Sequence, residues 1–394
     1  MYRITGGRIV TPERVLDGRD LLIEDDRIVG TILTGSDTPG EKAVTELIDA
    51  EGGYVLPGLI DIHADYIEHM AAPRPTSIMD FRFALREAER NLITHGVTTM
   101  FHSLAIYDFT EFVPSPIRAP ENTRRLIDLI DATHRSPHMI HHRFHARFEI
   151  DNLGRVEELE QYIREGKVHL LSFMDHTPGQ GQYRNLEIYR KTLKGYRNIS
   201  DDEVDRIITH SQSREKLSLE RIKELTDLAA AHGIAVASHD DDSLEKLELV
   251  RGFGTTISEF PITLEVARRA RQMGMHTVAG APNVLLGGSH SGNLSAAEAV
   301  FAGAVDILCS DYFPAALLEA VFQLHRSYGQ SLPKAVSLVT LNPARAVRME
   351  NEIGSLEPDK RADVLVVREP EVGAPAVVRA FVSGVQVYQA QYRR

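Results

Sequence analysis

The segment Pro57-Gly58-Leu59-Ile60-Asp61-Ile62-His63-Ala64-Asp65 carries the clearest structural signal in this chain of 394 residues. Its apolar residues predict a buried β-strand that ends in His63 and Asp65. These two residues are two positions apart, so their side chains leave the strand on one face. An imidazole and a carboxylate that converge at one strand end make up half of a divalent-metal site.

The middle of the chain alternates strand patterns with helical patterns. Eight strand candidates occur, near residues 59–63, 97–104, 140–149, 168–174, 234–238, 255–260, 276–279 and 305–310. Helical periodicity fills most of the gaps, as in residues 219–231 and 264–273. This alternation indicates a parallel sheet and predicts an α/β fold of the (β/α)8 TIM-like barrel type. The polar stretch 195–216 has the least regular pattern, and we expect a lid or a surface excursion there.

Both ends of the chain carry short strand and turn patterns instead. Residues 4–10 and 21–29 are predicted strands, the second interrupted by Asp25-Asp26. Residues 362–367 predict a strand, and residues 377–388 predict a hairpin that turns at Ser383-Gly384. Two β-rich ends around a different middle predict one small β domain built from both termini. The expected division is 1–57 plus 350–394 for this domain and 58–349 for the barrel.

The composition limits which binding partners and which cellular compartment are expected for this protein. The formal net charge of −12 argues against a nucleic-acid or membrane-surface partner but not against an anionic small molecule. The sequence contains no apolar run long enough to span a bilayer, and its start lacks the apolar core of a signal peptide. The single cysteine, Cys309, excludes an intrachain disulfide and suits a reducing compartment. A soluble cytoplasmic protein is therefore expected.

Residues of metal-ligand type follow five of the eight predicted strands. In (β/α)8 barrels the chemistry lies at the carboxyl ends of the strands, and at these ends stand His63, Asp65, Glu149, His176, His239 and Asp311. Taken singly, a histidine there is more often a hydrogen-bonding group. Asp175, Asp241, Asp242 or Asp311 alone would be expected to cap a helix. The joint pattern favours a metal centre, because imidazoles and carboxylates suit divalent ions and a carboxylate can bridge two of them.

Two further segments resemble the amidohydrolase superfamily. They are GGYVLPGLID at residues 52–61 and GSLEPDKRAD at residues 354–363. The resemblance implies a (β/α)8 barrel together with a small β-sandwich formed from both termini. It also implies a His-x-His or His-x-Asp pair on the first strand, a bridging Lys or Glu, two more histidines and an Asp after the last strand.

A narrower set of motifs resembles the PhnM-type diphosphatases of phosphonate catabolism. In chain order these motifs are PRP at 73–75, MDHTPGQ at 174–180, ASHDD at 237–241, GAPN at 280–283, GGSHSGN at 287–293 and SDY at 310–312. The resemblance implies hydrolysis of α-D-ribose 1-methylphosphonate 5-triphosphate to the 5-phosphate and pyrophosphate, within the carbon–phosphorus lyase pathway. The segment 76–81 departs from the tryptophan-bearing segment expected in that group, and the chain has no tryptophan.

The resemblance also assigns roles to the ligand-type residues. It implies that His63, Asp65 and Asp311 hold one divalent ion, that His176 and His239 hold a second, and that Glu149 bridges the two. Zn²⁺, Mn²⁺, Fe²⁺ and Mg²⁺ are the candidate ions. His176 and His239 follow the fourth and fifth predicted strands, one strand earlier than is usual in the superfamily. We expect attack on the α-phosphorus by an activated water whose proton passes to Asp311 as general base.

Phosphate charge requires donors, and several residues are expected to bind substrate. Arg143 and Arg147 alternate onto one face of the third strand with His145 and Glu149, and arginine suits bidentate phosphate contacts. A structural pairing of either arginine with a barrel carboxylate is the equal alternative. In the context of the resemblance, the glycine-rich loop at 287–293 presents backbone amides and the side chains of Ser289, His290 and Asn293 to phosphate, and Arg74 is a further candidate.

Other functions stay open at this point. The same scaffold could open a cyclic amide, deacetylate an N-acetyl sugar or deaminate a base, since fold does not determine chemistry. The loop around His290 and the Pro73-Arg74-Pro75 motif would not be needed by an uncharged cyclic amide. A non-catalytic scaffold would be expected to lose ligands, whereas this chain keeps a full set. A barrel enzyme without metal would leave the histidines unexplained. Barrels of this superfamily often self-associate, so a homo-oligomer is a further expectation.

Overall fold

The structure is a computed structural model. It describes residues 1–37, 44–74, 77–106, 116–180, 185–196, 199–288, 294–371 and 373–393. Its strands are β1 (Tyr2–Thr5), β2 (Arg8–Val10), β3 (Val15–Leu16), β4 (Arg19–Glu24), β5 (Arg27–Leu33), β6 (Glu46–Asp49), β7 (Tyr54–Pro57), β8 (Leu59–Ala64), β9 (Val97–Ile106), β10 (His141–Glu149), β11 (Leu170–Met174), β12 (Ala235–His239), β13 (Ile257–Glu259), β14 (His276–Gly280), β15 (Ile307–Cys309), β16 (Val364–Glu371), β17 (Ala374–Val382) and β18 (Val385–Gln389).

Its α-helices are α1 (Tyr66–Ala71), α2 (Phe81–Thr94), α3 (Pro120–Ala132), α4 (Val156–Arg164), α5 (Leu186–Tyr196), α6 (Asp201–Ser213), α7 (Leu219–Ala231), α8 (Leu244–Gly252), α9 (Leu264–Gln272), α10 (Ala281–Leu286), α11 (Ala296–Phe301), α12 (Ala316–Tyr328), α13 (Leu332–Ser337) and α14 (Leu341–Ala346). Short 3₁₀ helices lie at Pro116–Arg118, Thr133–Arg135 and Leu153–Arg155.

Strands β8 to β15 form the barrel sheet. Within the described residues this sheet has eight parallel strands, and each strand pairs with its neighbour in the chain. The first and last strands meet through a parallel bridge between Ala64 and Asp311. The amide of Asp311 donates to the carbonyl of His63, and the amide of Asp65 donates to the carbonyl of Asp311, both at 3.0 Å. The predicted (β/α)8 barrel and its eight strands are confirmed.

The helices on the outside of the barrel begin at side-chain caps where the sequence supplies them. In six helices the capping oxygen accepts a hydrogen bond from the backbone amide three residues later, at Asp80, Ser200, Ser218, Ser243, Thr263 and Ser295. Each such cap contributes roughly 1 kcal/mol to helix stability. Helix α7 has the bounds predicted from its periodicity, Leu219–Ala231.

The two ends of the chain combine in the remaining sheets. One sheet has the strand order β5-β4-β1-β6, and the other has the order β18-β17-β16-β7-β2-β3. The pairing of β7 with β16 joins residues near 55 to residues near 365. A buried apolar cluster that includes Ile4, Leu21, Val364 and Phe381 lies between these sheets and contains residues from both termini. The small β domain built from both ends is therefore present.

One predicted strand is wrong in detail. Residues 21–29 do not form a single strand, because the chain reverses at Asp25, which has φ = 51°, and β4 pairs with β5 as a hairpin. The hairpin predicted at Ser383-Gly384 is confirmed and contacts this turn. A Cβ on Gly384 would lie 1.7 Å from the carbonyl oxygen of Asp25. Glycine is therefore required there both by contact and by its φ of 73°.

The stretch expected to be least regular is largely helical. Residues 201–213 form α6, which begins with a capping box made by Ser200 and Glu203. Helices α5 and α6 share a small apolar cluster of their own, built on Tyr189, Leu193 and Val204 among others. The apolar spacing of α6 is diluted by charged residues, which hid its period in the sequence.

None of the described helices is both long and apolar enough to cross a membrane. Even α2, with 14 residues, is shorter than the roughly 20 residues that a bilayer core requires.

Candidate metal centre

Four of the six predicted ligands meet at the mouth of the barrel. The ring centroids of His63 and His239 are 5.4 Å apart, and those of His176 and His239 are 5.6 Å apart. Glu149, the last residue of β10, contacts Nδ1 of His176 through Oε1, and its Oε2 accepts the His176 amide at 3.4 Å. These side chains come from β8, β10, β12 and the turn after β11, so closure of the barrel brings them together.

The other two predicted ligands, Asp65 and Asp311, are held next to His63 by backbone hydrogen bonds. Asp65 and Asp311 are joined to each other and to His63 by the hydrogen bonds that close the barrel. Asp311 has φ = 61°, and Asp240 at the mouth has φ = 52°. A residue other than glycine in this left-handed region carries about 1 to 3 kcal/mol of backbone strain, and such strain concentrates at functional sites.

Buried polar atoms without hydrogen-bond partners mark the mouth. Among the described residues, neither ring nitrogen of His239 has a hydrogen-bond partner, although the residue is only 6% exposed. Its Nδ1 lies 3.0 Å from Oδ2 of Asp240 without the geometry of a hydrogen bond. Oδ1 of Asp65 is also buried without a hydrogen-bond partner. Leaving such atoms unpaired costs free energy unless a ligand satisfies them, and this set of nitrogen and oxygen donors fits a divalent ion.

The histidines at the mouth differ in electrostatic environment. Burial, together with the neighbouring Arg147 and His239, holds the pKa of His63 well below its ordinary value. His63 is therefore a neutral imidazole, which is the form that binds metals. Burial would also lower the pKa of His176, but the Glu149 carboxylate outweighs burial and raises that pKa.

Three residues that the sequence did not single out as ligands also belong to this region. Two groups offer ligand atoms that lie within 4.8 Å of one another: His63, His145 and Glu259, and His176, His239 and Asp240. Glu259 is the last residue of β13, so the rule that found Glu149 could have found it. The sequence pattern places His145 only on a face of the third strand, and it contains Asp240 only as part of the ASHDD motif at 237–241.

Two aspartates expected to cap a helix do not. Helix α8 is capped by Ser243, so neither Asp241 nor Asp242 is its N-cap. Asp241 instead accepts hydrogen bonds from the hydroxyls of Ser238 at 2.6 Å and Ser258 at 2.5 Å. Asp175 accepts the amide of Thr177 at 3.1 Å and pairs with Lys216 at 2.8 Å.

The residues predicted to bind substrate are not all near the mouth. Arg147 is close enough to lower the pKa values of His63 and His145, and its Nε lies 3.3 Å from Sδ of Met174. Arg143 lies two residues into β10, and its Nη1 contacts Nε2 of His169 at 3.2 Å, at the opposite end of the strands. Structural pairing is therefore the role that its contacts favour.

Arg74 is exposed and forms an isolated bridge with Ser77. The remaining predicted substrate residues, Ser289, His290 and Asn293, lie outside the described residues.

Comparison with known proteins identifies the family to which the chain belongs. The model of the amidohydrolase family matches residues 54–387. The chain belongs to that family, and its barrel, terminal β domain and clustered histidines agree with this membership.

Two similar proteins match most of the chain. The alpha-D-ribose 1-methylphosphonate 5-triphosphate diphosphatase of Escherichia coli (strain K12) is 32% identical over 366 residues, covering 91% of this chain and 96% of that protein. A dihydroorotase of Methanopyrus kandleri is 26% identical over 415 residues, covering 95% of this chain and 87% of that protein.

Solved structures share the fold. A crystal structure of an amidohydrolase superposes with a TM-score of 0.65 at 16% identity, covering 99% of this chain and 100% of that chain. A molinate hydrolase superposes with a TM-score of 0.65 at 15% identity, covering 98% of this chain and 94% of that chain. At such identities the likeness concerns the fold alone.

Proposed function

We propose that this protein is a metal-dependent diphosphatase. Its substrate would be α-D-ribose 1-methylphosphonate 5-triphosphate, which it would hydrolyse to the 5-phosphate and pyrophosphate during phosphonate catabolism by the carbon–phosphorus lyase pathway. The observation that carries the proposal is the group of buried histidines and carboxylates at the barrel mouth, some with unpartnered atoms. The similarity to a diphosphatase over 91% of the chain favours this substrate over others of the family.

Six residues would hold two divalent ions. His63, Asp65 and Asp311 would bind one, His176 and His239 the other, and Glu149 would bridge them. The contact of Glu149 with His176 and the 5.4 Å and 5.6 Å separations of the three imidazole rings support this grouping. When bound, the ions would supply Lewis acidity toward water and toward the phosphoryl oxygens.

The protein's own groups would then direct the reaction. Asp311 would accept one proton of the attacking water, whose oxygen forms the new bond to the α-phosphorus. The bond from the α-phosphorus to the bridging oxygen breaks, and that oxygen leaves with pyrophosphate. Because pyrophosphate is a stable anion, a strong general acid is not required. Arg147, positioned near the imidazoles, would neutralise phosphate charge, with Arg74, Ser289, His290 and Asn293 as the other substrate contacts.

Phosphorus NMR in oxygen-18 water tests this function. The protein loaded with Mn²⁺ is incubated with the triphosphate, and Mn²⁺ is removed by a chelator before the spectra are recorded. We expect pyrophosphate to be released and the isotope to enter the 5-phosphate, because attack is at the α-phosphorus. Label in pyrophosphate would contradict the attack proposed here. No pyrophosphate from a fully metallated protein would end the proposal itself. Nucleoside triphosphates serve as the comparison substrates.

A cyclic-amide hydrolase is the second candidate. The similarity to a dihydroorotase over 95% of the chain favours it, although the identity is lower. The same Mn²⁺-loaded protein should be assayed for dihydroorotate opening by ultraviolet absorbance. Turnover of dihydroorotate without pyrophosphate release would favour this second candidate.

A further inference from the structure

A row of hydrogen-bonded side chains crosses the inside of the barrel and ends at His63. The hydrogen-bonded row starts at the backbone amide of Ala64 and continues through Ser103, His145, Ser172, Glu259 and His63. All of these residues are at most 1% exposed. They come from β8, β9, β10, β11 and β13, so five barrel strands contribute to one polar connection.

The direction of the row follows from its first link. The amide of Ala64 can only donate, and it donates to Oγ of Ser103 at 3.0 Å. Among the described residues, the second hydrogen-bond partner of the Ser103 hydroxyl is Nδ1 of His145, at 3.0 Å. Ser103 therefore gives its hydrogen to Nδ1 of His145. A neutral imidazole that accepts at Nδ1 carries its hydrogen on Nε2.

The remaining links point the same way. Nε2 of His145 donates to Oγ of Ser172, and the hydroxyl of Ser172 donates to Oε2 of Glu259 at 2.6 Å. A carboxylate only accepts, so Nδ1 of His63, at 2.9 Å from Oε1 of Glu259, must carry a hydrogen. In the neutral ring, Nε2 of His63 is then the nitrogen with a free lone pair.

We propose that Glu259 is a positioning residue for the metal centre. It holds His63 in the Nδ1–H tautomer and fixes the ring, so that Nε2 is the metal-binding nitrogen, while Ser172 and His145 hold Glu259 in place. The proposal rests on the metal centre of the proposed function, not on its substrate. A ligand histidine whose second nitrogen donates to a carboxylate is oriented and made more basic by that bond.

A metal held directly by His63, His145 and Glu259 is the competing interpretation. Their ligand atoms lie within 4.8 Å of one another. Both nitrogens of His145 and both oxygens of Glu259 already take part in the hydrogen-bonded row. A metal there would have to break several buried hydrogen bonds, whereas the ring nitrogens of His239 have none to break. The positioning role therefore agrees better with the contacts.

Nitrogen NMR on the metal-free protein tests the proposal without any substrate. Two-bond correlations in protein labelled with ¹⁵N-histidine report which ring nitrogen carries hydrogen, and loss of one signal set in H63N assigns His63. We expect the Nδ1–H tautomer for His63 in the unsubstituted protein. Finding hydrogen on Nε2 there would overturn the proposal. The tautomer is read from the unsubstituted protein, and H63N serves only to assign the signals.

Zn²⁺ affinity, measured by competition with a chromophoric chelator, tests the role of Glu259. Glu259→Leu removes the acceptor at similar volume, so His63 should populate both tautomers and Zn²⁺ affinity should fall by roughly 10- to 100-fold. Glu259→Gln keeps an acceptor oxygen and should retain the tautomer and most of the affinity. An unchanged tautomer and affinity in Glu259→Leu would contradict the positioning role.

His145→Leu separates the positioning role from the competing interpretation. If His145 only supports Glu259, both metal equivalents should remain bound, and affinity should fall by less than in Glu259→Leu. Loss of a metal equivalent in His145→Leu would instead make His145 a ligand and refute the role proposed for Glu259. Because none of these readouts involves pyrophosphate, failure of the diphosphatase assay would leave them interpretable.

Discussion

The hydrogen-bonded row inside the barrel and the mouth directly beyond it differ in whether their buried polar atoms have hydrogen-bond partners. In the row, both nitrogens of His145 and both oxygens of Glu259 have partners. At the mouth, neither nitrogen of His239 has a hydrogen-bond partner within the described residues. His63 belongs to both regions, because its Nδ1 ends the row while its ring lies 5.4 Å from that of His239. The row therefore supplies rigidity, and the mouth contains unsatisfied atoms that a ligand can use.

The largest effect should come from Asp311 at the mouth. We expect Asp311→Asn to lower kcat for pyrophosphate release by about 10³-fold, because the amide cannot accept the proton of the attacking water. Metal content, measured by atomic emission, should stay at two equivalents, since an amide oxygen can still bind a cation. If most of the turnover survives at full metal content, Asp311 is not the base.

A smaller but still large effect is expected at Glu149. Glu149→Ala removes the proposed bridge and the carboxylate that contacts His176, so one metal equivalent should be lost, and activity should fall at least roughly 100-fold. Glu149→Gln is the matched variant of similar size and should retain more metal. Two firmly bound equivalents in Glu149→Ala would show that the bridge lies elsewhere.

The outer wall of the barrel offers a fully partnered carboxylate that has no role at the mouth. Glu158 on α4 accepts two hydrogen bonds each from Arg155 and Arg124, and one from Tyr162. Burial would raise the pKa of Glu158, but these hydrogen bonds outweigh burial and lower its pKa to about 2. We expect Glu158→Gln to reduce the free energy of unfolding by on the order of 2 kcal/mol at neutral pH and to leave metal content unchanged.

The pH dependence of that loss has a definite sign. A carboxyl group whose pKa is lower in the folded state stabilises the fold above its unfolded pKa, near 4.5, and loses that contribution as the pH falls toward about 2. Denaturant unfolding curves of the two proteins should therefore converge between these values. Glu157→Gln, a change at an exposed neighbour on the same helix, is the control and should show no such convergence. A constant difference across this pH range would contradict the assignment.

The smallest effect separates two arginines on one strand. Arg147→Gln should raise KM for the triphosphate by about tenfold, equivalent to about 1.4 kcal/mol, because Arg147 is the arginine near the imidazoles. Arg143→Gln should leave KM unchanged and affect only stability, since its partner is His169 at the far end of the strands. Equal KM changes in both variants would contradict the prediction that only Arg147 contacts the substrate.

Much of the candidate site could be predicted because parallel strands end at one edge. His63, Glu149, His176 and His239 were found from their places after apolar runs, and the barrel brings them together. The same rule did not prevent errors where local pattern was ambiguous. Asp25-Asp26 interrupts an apolar run as a turn, and α6 is too rich in charged residues to show its period clearly.

The sequence by itself determined the eight strands of the barrel, most of the helices and the residue types at the strand ends, because alternation and capping act over a few neighbouring positions. Only the tertiary structure decided which polar groups are partnered. His63 and Glu259 are 196 positions apart, and Ser172 and Glu259 are 87 apart. The direction of a hydrogen bond depends on such distant partners, so the tautomer of His63 follows from barrel closure and not from any local pattern.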